Sequence, residues 1–132
     1  MLKPISTDNA PSPQGPYVQA LEAGGFVFVS GQLPLDAKTG EIVGETIDEQ
    51  SRAALGNIQA ILEAAGLGLE DIIQIRVYLA DLNEVASFNK VYAEVFKQKI
   101  PPARELIGNV GIPKGAKLEV SAVCSKTGSE KG

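Results

Sequence analysis

The sequence predicts an α+β domain: a mixed β-sheet of about six strands with two helices packed on one face. Three observations carry this. Short runs of alternating apolar and polar residues recur along the chain, and two longer stretches carry apolar residues at spacings of three and four. Their order is a hairpin, a helix, a strand, a second helix and two further strands. With 132 residues, 44% of them hydrophobic, the chain suits a single domain over 1–124 and a flexible polar tail over 125–132.

The opening is loop-like, because residues 10–16 hold three prolines and a glycine. Residues 17–21 read as a short strand, Gly24-Gly25 as a turn, and residues 26–30 as its hairpin partner. Gly31-Gln32-Leu33-Pro34 ends that strand, and Lys38-Thr39-Gly40 marks another turn. Thr46 and Glu49 have capping-box spacing at a helix start. Beyond them Ala54, Ile58, Ile61 and Ala65 share a stripe, widened by Leu55 and Leu62, and Gly66 fits the stop position.

Residues 71–80 form a strand with Ile73, Ile75, Val77 and Leu79 on one side and Gln74, Arg76 and Tyr78 on the other. A second helix starts near Asp81 or Asn83, buries Val85, Phe88, Tyr92, Val95 and Phe96, and stops at Pro101-Pro102. Strands over 104–109 and 117–124 complete the chain. In the last, Leu118, Val120, Ala122 and Cys124 alternate with Glu119, Ser121 and Val123. Right-handed crossovers would put both helices on one face. The other face then needs water or another subunit against it.

Composition narrows the chemistry. The chain has no histidine and no tryptophan, and its one cysteine is Cys124, read as a core residue. A histidine-based nucleophile triad is impossible, and the usual zinc sites lack their ligands. A single cysteine fits a reducing compartment, so a cytoplasmic location is expected. Residues 1–4 lack the apolar run of a secretory leader, and no stretch approaches the ~20 apolar residues of a membrane span, so no membrane partner is expected. A net charge of −4 counts against nucleic acid as a partner.

Two residues stand out. Arg104 follows Pro101-Pro102-Ala103, and its guanidinium can grip a carboxylate through two parallel hydrogen bonds. Glu119 comes fifteen residues later, on the minority face of a strand. Taken alone, the residues equally allow a surface ion pair for Arg104 and a solvated position for Glu119.

The motifs resolve the choice through a resemblance. Asn9-Ala10-Pro11, Gly15-Pro16-Tyr17-Val18-Gln19, Ser30-Gly31-Gln32-Leu33-Pro34, Thr39-Gly40-Glu41, Asn57-Ile58, Glu63-Ala64-Ala65-Gly66, Asp81-Leu82-Asn83, Pro102-Ala103-Arg104 and Ile112-Pro113-Lys114-Gly115-Ala116 occur in that order. Together they make the chain, from about Ile5 to Val123, similar to the RidA (YjgF) family of imine deaminases. The resemblance implies a chorismate mutase-like fold and a homotrimer with active sites between subunits. It implies hydrolysis of 2-aminoacrylate, 2-iminopropanoate, 2-iminobutanoate and related acids to 2-oxo acids and ammonia, without cofactor or metal. By motif, Arg104 holds the substrate carboxylate and Glu119 positions or activates water. The main chain at Gly31 and Leu106 supplies hydrogen bonds, and Tyr17, Ser30 and Asn89 line the pocket. The alternative is a non-catalytic trimer that binds small carboxylates or partner proteins as a regulator.

Leu106 departs from the cysteine or threonine frequent in the family. It shares a face with Arg104 by alternation, so it is expected to make the pocket wall apolar and to bias the site toward apolar side chains. Glu105 points away, Asn109 stands where relatives are commonly apolar, and Gly108 weakens the strand. Arg76 and Tyr78 are expected at a subunit contact rather than in catalysis.

Overall fold

Alternation and periodicity resolve into six strands and two helices among residues 1–126, which the computed structural model describes. They are β1 (Lys3–Ile5), β2 (Ala20–Ala23), β3 (Phe26–Gln32), α1 (Ile47–Ala64), β4 (Ile72–Leu79), α2 (Val85–Val95), β5 (Ala103–Gly108) and β6 (Leu118–Ser125). All six strands join one sheet in the order β1-β2-β3-β6-β4-β5. β4 and β5 are parallel, and the other neighbours are antiparallel.

Because β6 runs antiparallel to both β3 and β4, those two strands are parallel to each other with β6 between them. The chain therefore makes two crossovers, through α1 and then α2, that step the same way across the sheet. A single handedness places both helices on the same face. The core lies between them: Leu55, Ile58, Ile61 and Leu62 of α1 and Phe88 and Val91 of α2 are fully buried with Val27, Ile75, Val77, Leu79, Leu118 and Val120. Cys124 is buried in the same cluster, as expected. Among the described residues the opposite face has no helix. Phe28 remains 47% exposed there, beside Phe26 at a ring separation of 6.4 Å.

The cap signals hold in detail. The Glu49 N–H donates to Thr46 Oγ1 at 3.1 Å, and the Thr46 N–H donates back to Glu49 Oε1 at 3.1 Å. Gly66 takes φ of +77°, and the Leu67 N–H closes the helix end on the Leu62 carbonyl at 2.8 Å. Two buried amides on α1 fasten the loops to the helix. Asn57 donates to the Leu33 and Leu35 carbonyls, both at 3.0 Å. Gln50 Oε1 accepts from the Lys117 N–H at 2.8 Å, which fixes the start of β6.

Five readings shift. Strand β1 is present although three residues around Pro4 give almost no periodic signal, and an edge strand tolerates a proline. Its partner β2 begins at Ala20 rather than residue 17. The buried Gln19 instead ties down the preceding loop, donating to the Thr7, Ala10 and Pro11 carbonyls and accepting from the Thr7 N–H. Ile73 leaves the core face: a bulge between Ile72 and Gln74 buries Ile72 and leaves Ile73 38% exposed. Finally, α2 starts at Val85, after a 3₁₀ turn over Leu82–Glu84 that Asp81 caps through the Asn83 N–H. Ser125, assigned to the tail, pairs with Phe26 as the last residue of β6. The rest of that tail, 127–132, lies outside the described residues.

Candidate active site

The expected site residues fall into two groups. The first is built on β5 and α2. Arg104 pairs with Ile75 of β4, and paired residues share a face, so Arg104 stands on the helix side of the sheet's edge. Its Nη1 donates to Asn89 Oδ1 at 2.7 Å. The guanidinium carbon lies 4.9 Å from the Tyr92 ring centroid and 5.9 Å from that of Phe88, within cation–π reach of both. Asn89 and Tyr92 are one helical turn apart, which is why one arginine can meet both.

Arg104 is exposed, and among the described residues no carboxylate pairs with it. A cation held on one side by an amide and backed by aromatic rings leaves its other donors for an anion. By spacing Tyr92 belongs to the core stripe. It packs against Phe96 at 4.4 Å between centroids, but it is also the platform under Arg104. Its buried hydroxyl has no hydrogen-bond partner among the described residues, and burial pushes its pKa up against the opposing pull of the Arg104 charge.

The second group lies where β3 meets β6. Glu119 alternates with the buried Leu118 and Val120, so its carboxylate stands on the helix-free face. It is half-buried, and that burial raises its pKa above the ordinary carboxylate value. Gly31 sits at the irregularity between Val29 and Gln32, and a Cβ added there would overlap the Glu119 carboxylate. Glycine lets the carboxylate lie against the backbone here, and any side chain would displace it. Ser30 next to it donates from Oγ to the Val18 carbonyl at 2.6 Å, and its N–H donates to the Gln19 carbonyl at 2.9 Å. These bonds hold the loop bearing Tyr17, which is 49% exposed and accepts at its hydroxyl from the Gln14 N–H at 3.2 Å.

Arg104 with Asn89, and Gly31 with Glu119, are thus brought together, while Arg104 and Glu119 are not. Leu106 pairs with Val77 on the helix side, and its side chain packs against the core cluster. The apolar wall expected from it is taken up by the core, which leaves its main chain for hydrogen bonding. The Gly108 and Asn109 departures have structural causes. A Cβ on Gly108 would run into Leu82, and Asn109 takes φ of +60° to accept from the Leu82 N–H at 2.9 Å. Glu105 and Arg76 face each other at 3.6 Å on the helix-free side. Tyr78, not expected in the site, is the register partner of Glu119. No cluster of metal-ligating side chains is present among the described residues.

Fold and geometry together define a small α+β protein with an exposed arginine on the helix side of its edge strand β5 and a half-buried carboxylate on the other face, on the interior strand β6. Comparison with known proteins agrees. Residues 7–125 match the family described as Endoribonuclease L-PSP. The chain is 49% identical over 126 residues to a RutC family protein of Pyrococcus horikoshii, covering 96% of this chain and 99% of that one. It is 42% identical over 125 residues to the 2-iminobutanoate/2-iminopropanoate deaminase of Salmonella typhimurium, covering 93% and 97%. The crystal structure of Escherichia coli TdcF with bound serine matches with a TM-score of 0.88 at 42% identity, covering 93% and 98%. The chain belongs to the Endoribonuclease L-PSP family, the RidA (YjgF) family that its motifs resemble.

Proposed function

We propose that this protein hydrolyses small 2-imino acids, in equilibrium with their enamines, to 2-oxo acids and ammonia. The carrying observation is the pairing of an exposed, amide- and aromatic-backed Arg104 with a carboxylate, Glu119, whose pKa is raised by burial. The deaminase relative supports the reaction class, and serine bound to TdcF supports an amino-acid-sized ligand.

In this reading Arg104 grips the substrate carboxylate with two parallel hydrogen bonds. Glu119 takes a proton from water as its oxygen adds to the iminium carbon, giving a carbinolamine. Glu119 passes that proton to nitrogen and then takes the hydroxyl proton as the C–N bond breaks, so that ammonia leaves and the C=O bond forms. A protonated imine is already electrophilic, so orientation and a base beside water suffice. Main-chain groups at Gly31 and Leu106 supply hydrogen bonds at the reacting centre, with Tyr17, Ser30 and Asn89 around it.

Arg104 and Glu119 point away from opposite sides of one sheet, so a substrate a few ångströms long needs them from different copies. This favours a homotrimer with its sites between subunits, and the helix-free face gives the copies a surface to share. The test is 2-oxo acid release from imines generated in place by an amino-acid oxidase. Acceleration by the purified protein, lost in Arg104→Lys and Glu119→Gln, is the expected result. Carboxylate binding without acceleration would instead identify a regulator.

A further inference from the structure

Beside Glu119 the open face of the sheet holds a hollow of about 230 Å3, lined by Tyr78, Val110, Gly111, Ile112 and Glu119 itself. This is smaller than the ~300–1,000 Å3 sites that enclose a drug-sized ligand, so it suits a fragment of the size of one amino-acid side chain. Its outer wall, Val110 to Ile112, belongs to the loop between β5 and β6, and that loop is fastened at both ends. Asn109 holds the Leu82 N–H from a left-handed conformation, and the Val110 N–H donates to the Leu79 carbonyl at 3.4 Å. Further along, Lys114 takes φ of +63° and its Nζ donates to the Gly40 carbonyl at 3.3 Å. The wall is therefore set before any ligand arrives.

Two aliphatic side chains and a phenol ring face this space, and the one charged group on it is the Glu119 carboxylate. An acidic side chain would meet that carboxylate with no cation among the lining residues, whereas an aliphatic one would leave water for apolar surface. The reacting carbon of a 2-imino acid carries three groups: carboxylate, nitrogen and side chain. With the carboxylate on Arg104 and the attacking water on Glu119, the space adjoining Glu119 is open to the third.

We propose that this hollow is the side-chain receptor of the site and selects branched aliphatic 2-imino acids over acidic ones. The proposal rests on the hydrolysis reading above, and it moves the expected apolar bias from Leu106 to Val110 and Ile112. The test compares kcat/KM on imines generated in place from alanine, leucine, phenylalanine and glutamate by amino-acid oxidases. The leucine-derived imine is expected to exceed the glutamate-derived one by at least about tenfold, since a group or two in an apolar pocket changes selectivity by ~10–200-fold. A Cβ at Gly111 meets nothing within 4 Å, so Gly111→Leu enters without a clash at its first carbon, and it should lower the leucine-to-alanine ratio about tenfold. Ile112→Ala should raise the phenylalanine-to-leucine ratio. If neither variant moves its ratio, or glutamate is preferred, the hollow is not the receptor while the hydrolysis reading stands. If the wild type accelerates none of the imines, the alanine-derived one included, both fall together.

Discussion

Arg104 pairs with Ile75, and Glu119 pairs with Tyr78; the two partners are three residues apart on β4, so they face opposite sides of the sheet. On the proposed function, one chain would therefore contribute half of each of two sites. This yields a test that needs no structure of the assembly. At substrate well below KM, the Arg104→Lys and Glu119→Gln proteins should each be strongly impaired, but mixing them after denaturation and refolding should raise activity above that of either alone. In a closed ring assorted at random, about a quarter of the composite sites regain both residues. Zero recovery from a mixture shown to exchange subunits would place both groups in one copy.

Arg104→Lys should lower kcat/KM by about 10–100-fold, because a lysine point charge cannot make the two parallel bonds that fix a carboxylate plane. The loss should appear mainly in KM if the grip is equal in ground and transition states. Steady-state kinetics on the alanine-derived imine reads this directly.

Tyr92 separates packing from electrostatics. Tyr92→Phe keeps the ring under Arg104 and removes a buried hydroxyl with no partner among the described residues. Activity should survive, and stability should rise by about 1 kcal/mol in urea unfolding, the low end of the cost of an unsatisfied buried polar group. Tyr92→Leu should raise KM several-fold, since a cation–π contact is worth ~0.5–2 kcal/mol.

The pH response follows from Glu119. Burial raises its folded pKa above the ordinary carboxylate value, so between the ordinary and the raised value the folded state holds more protons than the unfolded. The stabilisation from the neutral carboxyl is complete below the unfolded pKa and is lost as pH rises through the folded one. Glu119→Gln should therefore hold its melting temperature better than the wild type as pH climbs through that window. As a base, Glu119 must be ionised, so kcat/KM should rise with pH across the same window, and Glu119→Gln should lack that limb.

Gly31→Ala tests the close approach at the β3–β6 junction. The atoms first displaced are the far end of the Glu119 side chain, so the fold should persist with little change in melting temperature. Turnover should nonetheless fall about 100-fold, the scale of a ~1 Å misplacement of a reacting group.

Much of this architecture was legible in the chain. Both helices announced themselves through Thr46 and Glu49, through Gly66 and through stripes whose residues did become the core. What escaped was what local pattern cannot encode. A three-residue strand around Pro4 has no period to detect, and counting alternation straight through residue 73 missed a bulge that only the partner strand defines. Parity placed Leu106 with Arg104 correctly, but it cannot compare residues on different strands. That Arg104 and Glu119 face apart required the register of β4 against both neighbours. Tyr92 was hidden for another reason: a residue buried on one edge and stacked against a cation on another gives the same spacing as one that is only buried.

Cys124 has a practical consequence. It is the chain's only thiol, wholly buried on β6, a strand flanked by β3 and β4, and burial pushes its pKa up to about 12. A thiol reagent attacks only the thiolate, so labelling near neutral pH must wait for the sheet to part. The native molecule thus carries its own clock for opening events, readable by mass spectrometry without an introduced probe.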